Sequence, residues 1–184
     1  MRRIIVWNLM SIDGFFEGAD PWDLEFHNTA WGRQLEAFSD SQGKEIGTLL
    51  FGRKTYEGMH GYWSKETGAT AEMMNTTEKV VVSRSLKEAS WNNSRVLEGR
   101  LPAAVHALKC GPGKDIFVFG SADLVASLLS HGLVDEYRLC IAPILLGKGT
   151  PLFKTSDAAL GMKLLETTPL ESGGVILRYA PHKA

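Results

Sequence analysis

Cysteine is scarce: only Cys110 and Cys140 occur in 184 residues, with no Cys-x-x-Cys spacing. That excludes a disulfide-stapled scaffold and argues against structural zinc, and it fits two reduced thiols in a cytoplasm. His27, His60, His106, His131 and His182 form no pair at i, i+4, so no metal is expected. An excess of charge of one sign is missing too. Twenty Lys and Arg face 21 Asp and Glu, a net charge of -1, so nucleic acid is not an expected partner. Long apolar runs are absent as well. The opening Met1 to Trp7 is interrupted soon after by Asn8, Ser11 and Asp13, which fits neither a secretory signal nor a membrane span. The Gly-x-Gly-x-x-Gly dinucleotide fingerprint is nowhere present; Gly111-Pro112-Gly113 and Gly147-Lys148-Gly149 are lone pairs of glycines. No repeat, low-complexity tract or long linker divides the chain. Residues 1–184 therefore read as one domain, long enough to bury roughly 70% of its unfolded surface.

What is present is a set of three short apolar runs, each ending in Gly or Ser. They are Thr48 to Gly52, Lys79 to Ser83 and Ile116 to Gly120. Runs of this length bounded by turn residues predict strands buried on both faces, hence parallel strands covered by helices. Arg3 to Met10 predicts a further strand, followed by a turn at Ser11-Ile12-Asp13-Gly14. Trp31, Leu35 and Phe38 recur at i, i+4, i+7 and predict a helix over Thr29 to Ser39 with those three on its buried face. Further helices are expected over Thr55 to His60, Leu101 to Cys110 with Pro102 in its first turn, and Ala122 to Ser130 closed by Gly132. Glu136 to Leu146 reads as a strand broken near Pro143. Lys163 to Glu166 and Gly174 to Ala180 then read as a closing antiparallel hairpin. The pattern is an α/β fold: a mixed, mainly parallel sheet between helices, with a C-terminal hairpin.

In such sheets ligands sit beyond the carboxyl ends of the strands, where the first N–H groups of the next helix are free. Arg53 and Lys54 stand where a helix should begin after Gly52. Cations there oppose the helix dipole by about 0.3–1 kcal/mol each unless an anion is held between them. Thr55 adds a hydroxyl, and Gly52 lets a phosphate approach the backbone. Ser83-Arg84-Ser85 places one guanidinium and two hydroxyls at a second strand end; an Arg at such a place accommodates a 2′-phosphate and favours NADP over NAD. Gly120 and Ser121, then Ala122, Asp123 and Leu124, open a third helix with Ser121 as N-cap. An exposed basic turn, a polar turn and simple capping would account for each segment alone. Their convergence predicts a divided cradle for a multi-phosphate ligand.

Asp13, Glu17, Asp20, Asp23 and Glu25 crowd one stretch without a cation. One carboxylate there could hold the 2-amino edge of a pteridine or aminopyrimidine and favour its protonation. Asp13 is the first candidate and Glu25 the second, with a solvated acidic loop as the alternative. Gly14 would let a nicotinamide approach, and Trp22 and Phe26 could stack on a planar substrate. His27 reads as a surface or packing residue.

These residues also resemble a known family. Leu50-Phe51-Gly52-Arg53-Lys54-Thr55 is similar to the turn of dihydrofolate reductases that holds the NADPH phosphates, and Val80 to Ser85 to the strand end that carries the adenosine 2′-phosphate. Ser11-Ile12-Asp13-Gly14, Leu133-Val134-Asp135-Glu136 and Ala142 to Gly149 resemble the reductase domain of riboflavin biosynthesis. The resemblance runs over nearly the whole chain. It implies a three-layer dihydrofolate reductase-like fold, NADPH as coenzyme, a small-molecule substrate and a cytoplasmic homodimer. It also implies a reductase of a planar heterocycle, most like 5-amino-6-(5-phosphoribosylamino)uracil reductase. The alternatives are a true dihydrofolate reductase or a non-catalytic NADP(H)-binding sensor. Departures are visible: the zinc deaminase motifs are missing, and Phe119 stands at the apparent position of a substrate-binding Glu.

Overall fold

The computed structural model describes residues 1–154 and 159–182. In chain order its first half holds β1 (Ile4–Ser11), β2 (Phe15–Glu17), a 3-10 turn (Glu25–Thr29), α1 (Arg33–Gly43), β3 (Ile46–Gly52), α2 (Arg53–Trp63) and α3 (Ala69–Thr76). The second half holds β4 (Glu78–Val82), β5 (Ser94–Val96), α4 (Leu101–Cys110), β6 (Asp115–Phe119), α5 (Ala122–Ser130), β7 (Glu136–Ala142), β8 (Thr150–Pro151), β9 (Met162–Pro169) and β10 (Val175–Pro181).

Alternation at the residue level builds the sheet. In β1 every residue is buried; Ile5, Trp7 and Leu9 enter one apolar cluster, and Ile4, Val6 and Met10 enter another. Leu49 and Leu50 of β3, Val81 and Val80 of β4, and Phe117 and Ile116 of β6 divide in the same way. Successive side chains of a strand point to opposite faces, so each run needs a cover on both sides. Leu35 of α1, Tyr56 of α2 and Met74 of α3 cover the first face. Val105 and Leu108 of α4, with Val125 and Leu128 of α5, cover the other. The result is three layers.

The eight-stranded sheet has the order β5-β4-β3-β6-β1-β7-β10-β9. All neighbours from β5 to β7 are parallel; β10 runs antiparallel to β7 and to β9. The three expected buried strands are β3, β4 and β6, the mainly parallel sheet is present, and the closing hairpin is β9–β10. The helices over Leu101–Cys110 and Ala122–Ser130 lie where the spacing predicts them.

The structure departs from the expectations at several places. The helix expected from Thr29 begins at Arg33, because the chain first makes the 3-10 turn and then passes through extended Gly32. Trp31 consequently falls outside it and is 52% exposed, while Leu35 is buried. The short helix after Gly52 is longer, running from Arg53 to Trp63, and a further helix, α3, fills the stretch read as merely polar. The strand from Glu136 ends at Ala142, just before Pro143, and does not resume at Leu146. Phe15–Glu17 pairs with Thr150–Pro151 as a separate two-stranded ribbon that no periodicity announced.

Candidate functional site

A cavity of about 590 Å³ opens at the carboxyl ends of β1 and β6, beside the start of α2. Its position follows from topology. From β1 the chain passes to β3 on one side, whereas from β6 it passes through α5 to β7 on the other, and a crevice forms at such a switch point.

Part of the expected phosphate cradle converges at one side of this cavity. A Cβ added to Gly52 would lie 2.7 Å from Ser121 Oγ, so a larger residue there would have to turn that hydroxyl away where the ends of β3 and β6 meet. A Cβ on Gly120 would lie 3.8 Å from both Asn8 Oδ1 and Thr55 Cγ2. Gly120 and Ser121 both have positive φ, at 67° and 70°. For Ser121 that is a strained backbone, of the kind found where ligands are held. Its hydroxyl accepts the Leu124 N–H at 3.4 Å and so caps α5. α2 begins after extended Gly52 with no side-chain cap and no acid in its first turn, leaving its first N–H groups free. Lys54, Thr55, Gly120, Ser121, Ala122 and Asp123 all line the cavity.

Other cradle candidates lie at its margin. Arg53 pairs with Glu57 one turn along α2 at 3.1 Å and is not on the cavity wall. The register pairs Gly52 with Val82, so Ser83, Arg84 and Ser85 leave the sheet at the same edge as Arg53 and Lys54. Ser83 Oγ accepts the N–H groups of Leu86 and Ser85 at 2.9 and 3.2 Å, shaping that turn. Arg84 is exposed, and among the described residues no carboxylate pairs with it. Gly14 takes φ 91° in the turn after β1 and is also off the wall.

Neither Asp13 nor Glu25 is brought into the cavity, whereas Glu17 is. Asp13 accepts the N–H groups of Leu146 and Gly147 at 3.1 and 2.7 Å, pinning the Gly147-Lys148-Gly149 loop. The Ser11 hydroxyl and those two amides hold its carboxyl below the ordinary range. Glu25 is exposed on the 3-10 turn, away from the wall. Phe26, expected to stack on substrate, is instead buried in the first cluster. Trp22 does reach the cavity. Its N–H donates to Glu17 Oε1, and its indole lies on α2 where a Cβ at Gly58 would be 1.9 Å away. Phe119 lines the wall as expected, edge-on to Phe117 with ring centroids 6.2 Å apart.

Several cavity residues were not anticipated. Trp7, Asn8 and Leu9 come from β1, Phe16 from β2, and Met59 and Trp63 from the far half of α2. His27, expected at the surface or in packing, is half-buried on the wall. Burial pushes its imidazole pKa down, against the opposing pull of the Phe16 carbonyl. At the mouth Lys154 pairs with Asp123. A buried polar residue inside an apolar strand is itself a signal, and Asn8 carried it.

The geometry has counterparts among known proteins. Uncharacterized protein YyaP of Bacillus subtilis (strain 168) is 32% identical over 186 residues, covering 97% of this chain and 94% of YyaP. A pyrimidine reductase-like protein from Corynebacterium diphtheriae shares the fold with a TM-score of 0.71 at 16% identity, over 100% of this chain and 93% of that one. Dihydrofolate reductase from Enterococcus faecalis, solved with NADP(H), shares it with a TM-score of 0.64 at 15% identity, over 98% and 97% of the two chains. The profile of the RibD C-terminal domain matches residues 2–176, and the chain belongs to that family.

Proposed function

We propose that the protein is an NADPH-dependent oxidoreductase that reduces a small planar heterocycle. One functional parallel is the Thermotoga maritima diaminohydroxyphosphoribosylaminopyrimidine deaminase/5-amino-6-(5-phosphoribosylamino)uracil reductase, which shares the fold and of whose chain 56% is covered. The observation that carries this reading is the approach of Gly52 to Ser121. It brings the amino ends of α2 and α5 to one mouth of an apolar cavity. The uncapped first N–H groups of α2, the α5 N–H groups that its Ser121 cap leaves over and Lys54 on the cavity wall suit a diphosphate. Arg84, without a carboxylate partner among the described residues, suits a 2′-phosphate at the adjacent strand end. When bound, the coenzyme supplies hydride. The chain's own task is to align donor and acceptor and to exclude water, which the aromatic walls Trp7, Phe16, Phe119 and Trp63 support.

The test is a fluorescence titration with NADPH and NADH. NADPH is expected to bind at least about tenfold more tightly, the scale of one charge-assisted contact. Arg84→Ala should weaken NADPH by a similar factor and leave NADH unchanged; equal loss of both refutes the assignment. Hydride consumption above background with a panel of pteridines, aminopyrimidines and quinones eliminates the non-catalytic sensor. The proposal includes a homodimer. β9 pairs only with β10 among the described residues, and its Leu164 and Leu165 are half-exposed at the sheet edge. Light scattering should give twice the chain mass, and Leu164→Lys with Leu165→Lys should give the chain mass.

A further inference from the structure

A second cavity, of about 600 Å³, lies on the α4 face of the sheet, between that helix and the edge strand β5, and shares no residue with the first. Its charged end sits where β4 begins, at Glu78. The register pairs Glu78 with Thr48 and Val82 with Gly52, so four residues of strand, about 13 Å, separate it from the proposed phosphate mouth.

That end is a relay across four segments. Arg2, 8% exposed, donates from Nε to the Lys114 carbonyl at 2.5 Å and from Nη2 to Thr48 Oγ1. The Thr48 hydroxyl donates onward to Glu78 Oε2 at 2.5 Å, and Arg95 Nε donates to Glu78 Oε1 at 3.1 Å. One carboxylate thus answers two guanidinium groups. Among the described residues no carboxylate forms an ion pair with Arg2, since Asp115 is engaged by Arg3 and Glu78 by Arg95. Arg2 Nη1 and both terminal nitrogens of Arg95 donate to nothing among the described residues. A buried cation ordinarily has its own anion, and this one lacks it. Beyond the charged end the walls are apolar, with Leu97 facing Ala104, Ala107 and Leu108 of α4.

We infer that this cavity binds a small aliphatic carboxylate, its head group on Arg2 and Arg95 and its chain along Leu97, Ala104 and Leu108. The planar carboxylate matches the fork of a guanidinium. Glu78 remains in the cluster and Glu98 stands exposed on the wall, so a second negative charge on the ligand would be repelled. That selects a carboxylate over a phosphate monoester. The inference does not rest on the coenzyme reading.

The test is calorimetric titration of the full chain with hexanoate, with hexanamide as the uncharged probe of the same shape. Hexanoate should bind once per chain, about tenfold or more tightly than hexanamide, the scale of one hydrogen bond between charged groups. Hexyl phosphate should bind more weakly than hexanoate. Arg2→Met and Arg95→Gln should each cut hexanoate affinity about tenfold and leave hexanamide unchanged. Ala107→Trp, on the exposed side of α4, should fill the groove and abolish binding of both. Thermal melting checks that each variant is folded, and if Arg2→Met is not, the other two decide. Equal affinity for the two probes, tighter binding of hexyl phosphate, no saturable binding of hexanoate at millimolar concentration, or unchanged affinity in the variants each overturns the site. Displacement of hexanoate by NADPH also overturns it, because the probe would then occupy the first cavity. A chain that binds hexanoate as expected but no NADPH would remove the coenzyme reading and leave this site standing.

Discussion

Ser121 holds opposing demands in one residue. Its hydroxyl caps α5, yet its backbone sits at φ 70°, ψ 83°. A non-glycine residue there costs about 1–2 kcal/mol, whereas replacing a Ser cap by Gly costs only a few tenths. Ser121→Gly is therefore expected to raise stability by about 1 kcal/mol, read as a higher urea midpoint. Gly52→Ala runs the other way. The added methyl meets Ser121 Oγ at 2.7 Å and must displace the cap, so α5 loosens and NADPH affinity falls together with the midpoint. A variant that binds NADPH as before would show that the approach of the two strand ends is not needed. Residues such as Gly52, Thr55 and Ser121 stood out because turn and cap chemistry recurs at comparable ends of separate apolar runs. Asn8 was not: in a linear reading a polar residue in an apolar run marks an interruption, and only pairing on both sides of β1 reveals it as buried.

Elements long enough to show a period were readable, and the others were not. α4 and α5 have their expected bounds because a Pro, a Ser cap or a Gly marks their ends. Three-residue strands such as β2 and β5 carry no period, and they exist because a partner strand lies alongside. α3 depends on tertiary contacts that lie outside its own residues. The fully buried Lys79 donates from Nζ to the carbonyls of Met74 and Asn75 at 2.8 and 3.0 Å, closing its last turn, and lies 4.4 Å from the Trp91 ring centre. Burial lowers the Lys79 pKa from 10.5 to about 8. Between those values the unfolded chain binds the extra proton, so this group's contribution to stability grows as pH rises through the window and is lost as pH falls through it. Burial raises Cys140 to about 12, which acts in the opposite direction above pH 9, so the comparison must be internal. The stability of wild type minus that of Lys79→Met should increase from pH 8 to 10.5 in urea titrations. A flat difference would mean that the amine is solvated.

Across the whole molecule, one ion network ties the parallel half of the sheet to the closing hairpin. Glu136 of β7, 2% exposed, accepts from Arg138 at 2.8 Å, from Arg178 of β10 at 2.7 Å and from Arg3 beside β1 at 2.9 Å. Arg138, equally buried, also reaches Glu45 at the start of β3. Burial alone would raise the Glu136 pKa, but the Arg178 and Arg138 contacts hold it below the ordinary value. A depressed carboxylate adds stability that is complete above its unfolded pKa and is lost as pH falls through the folded one, so unfolding should begin on the acid side of about pH 4. Glu136→Gln leaves buried guanidinium charge uncompensated and should cost about 3–5 kcal/mol, measured by urea unfolding at pH 7. The mixed sheet was foreseeable from the runs and turns. This network was not, since its members are scattered from residue 3 to residue 178 and only the strand order assembles them.

α2 spans about 15 Å from Arg53 to Trp63, at 1.5 Å per residue. One end leaves its first amides free, and the other presents Met59 and Trp63 to the cavity. The helix thus works as a yardstick between the phosphate and ring ends of the proposed ligand site. Inserting one residue in its middle would turn everything beyond by about 100°, swinging Met59 or Trp63 off the pocket while the phosphate end stayed intact.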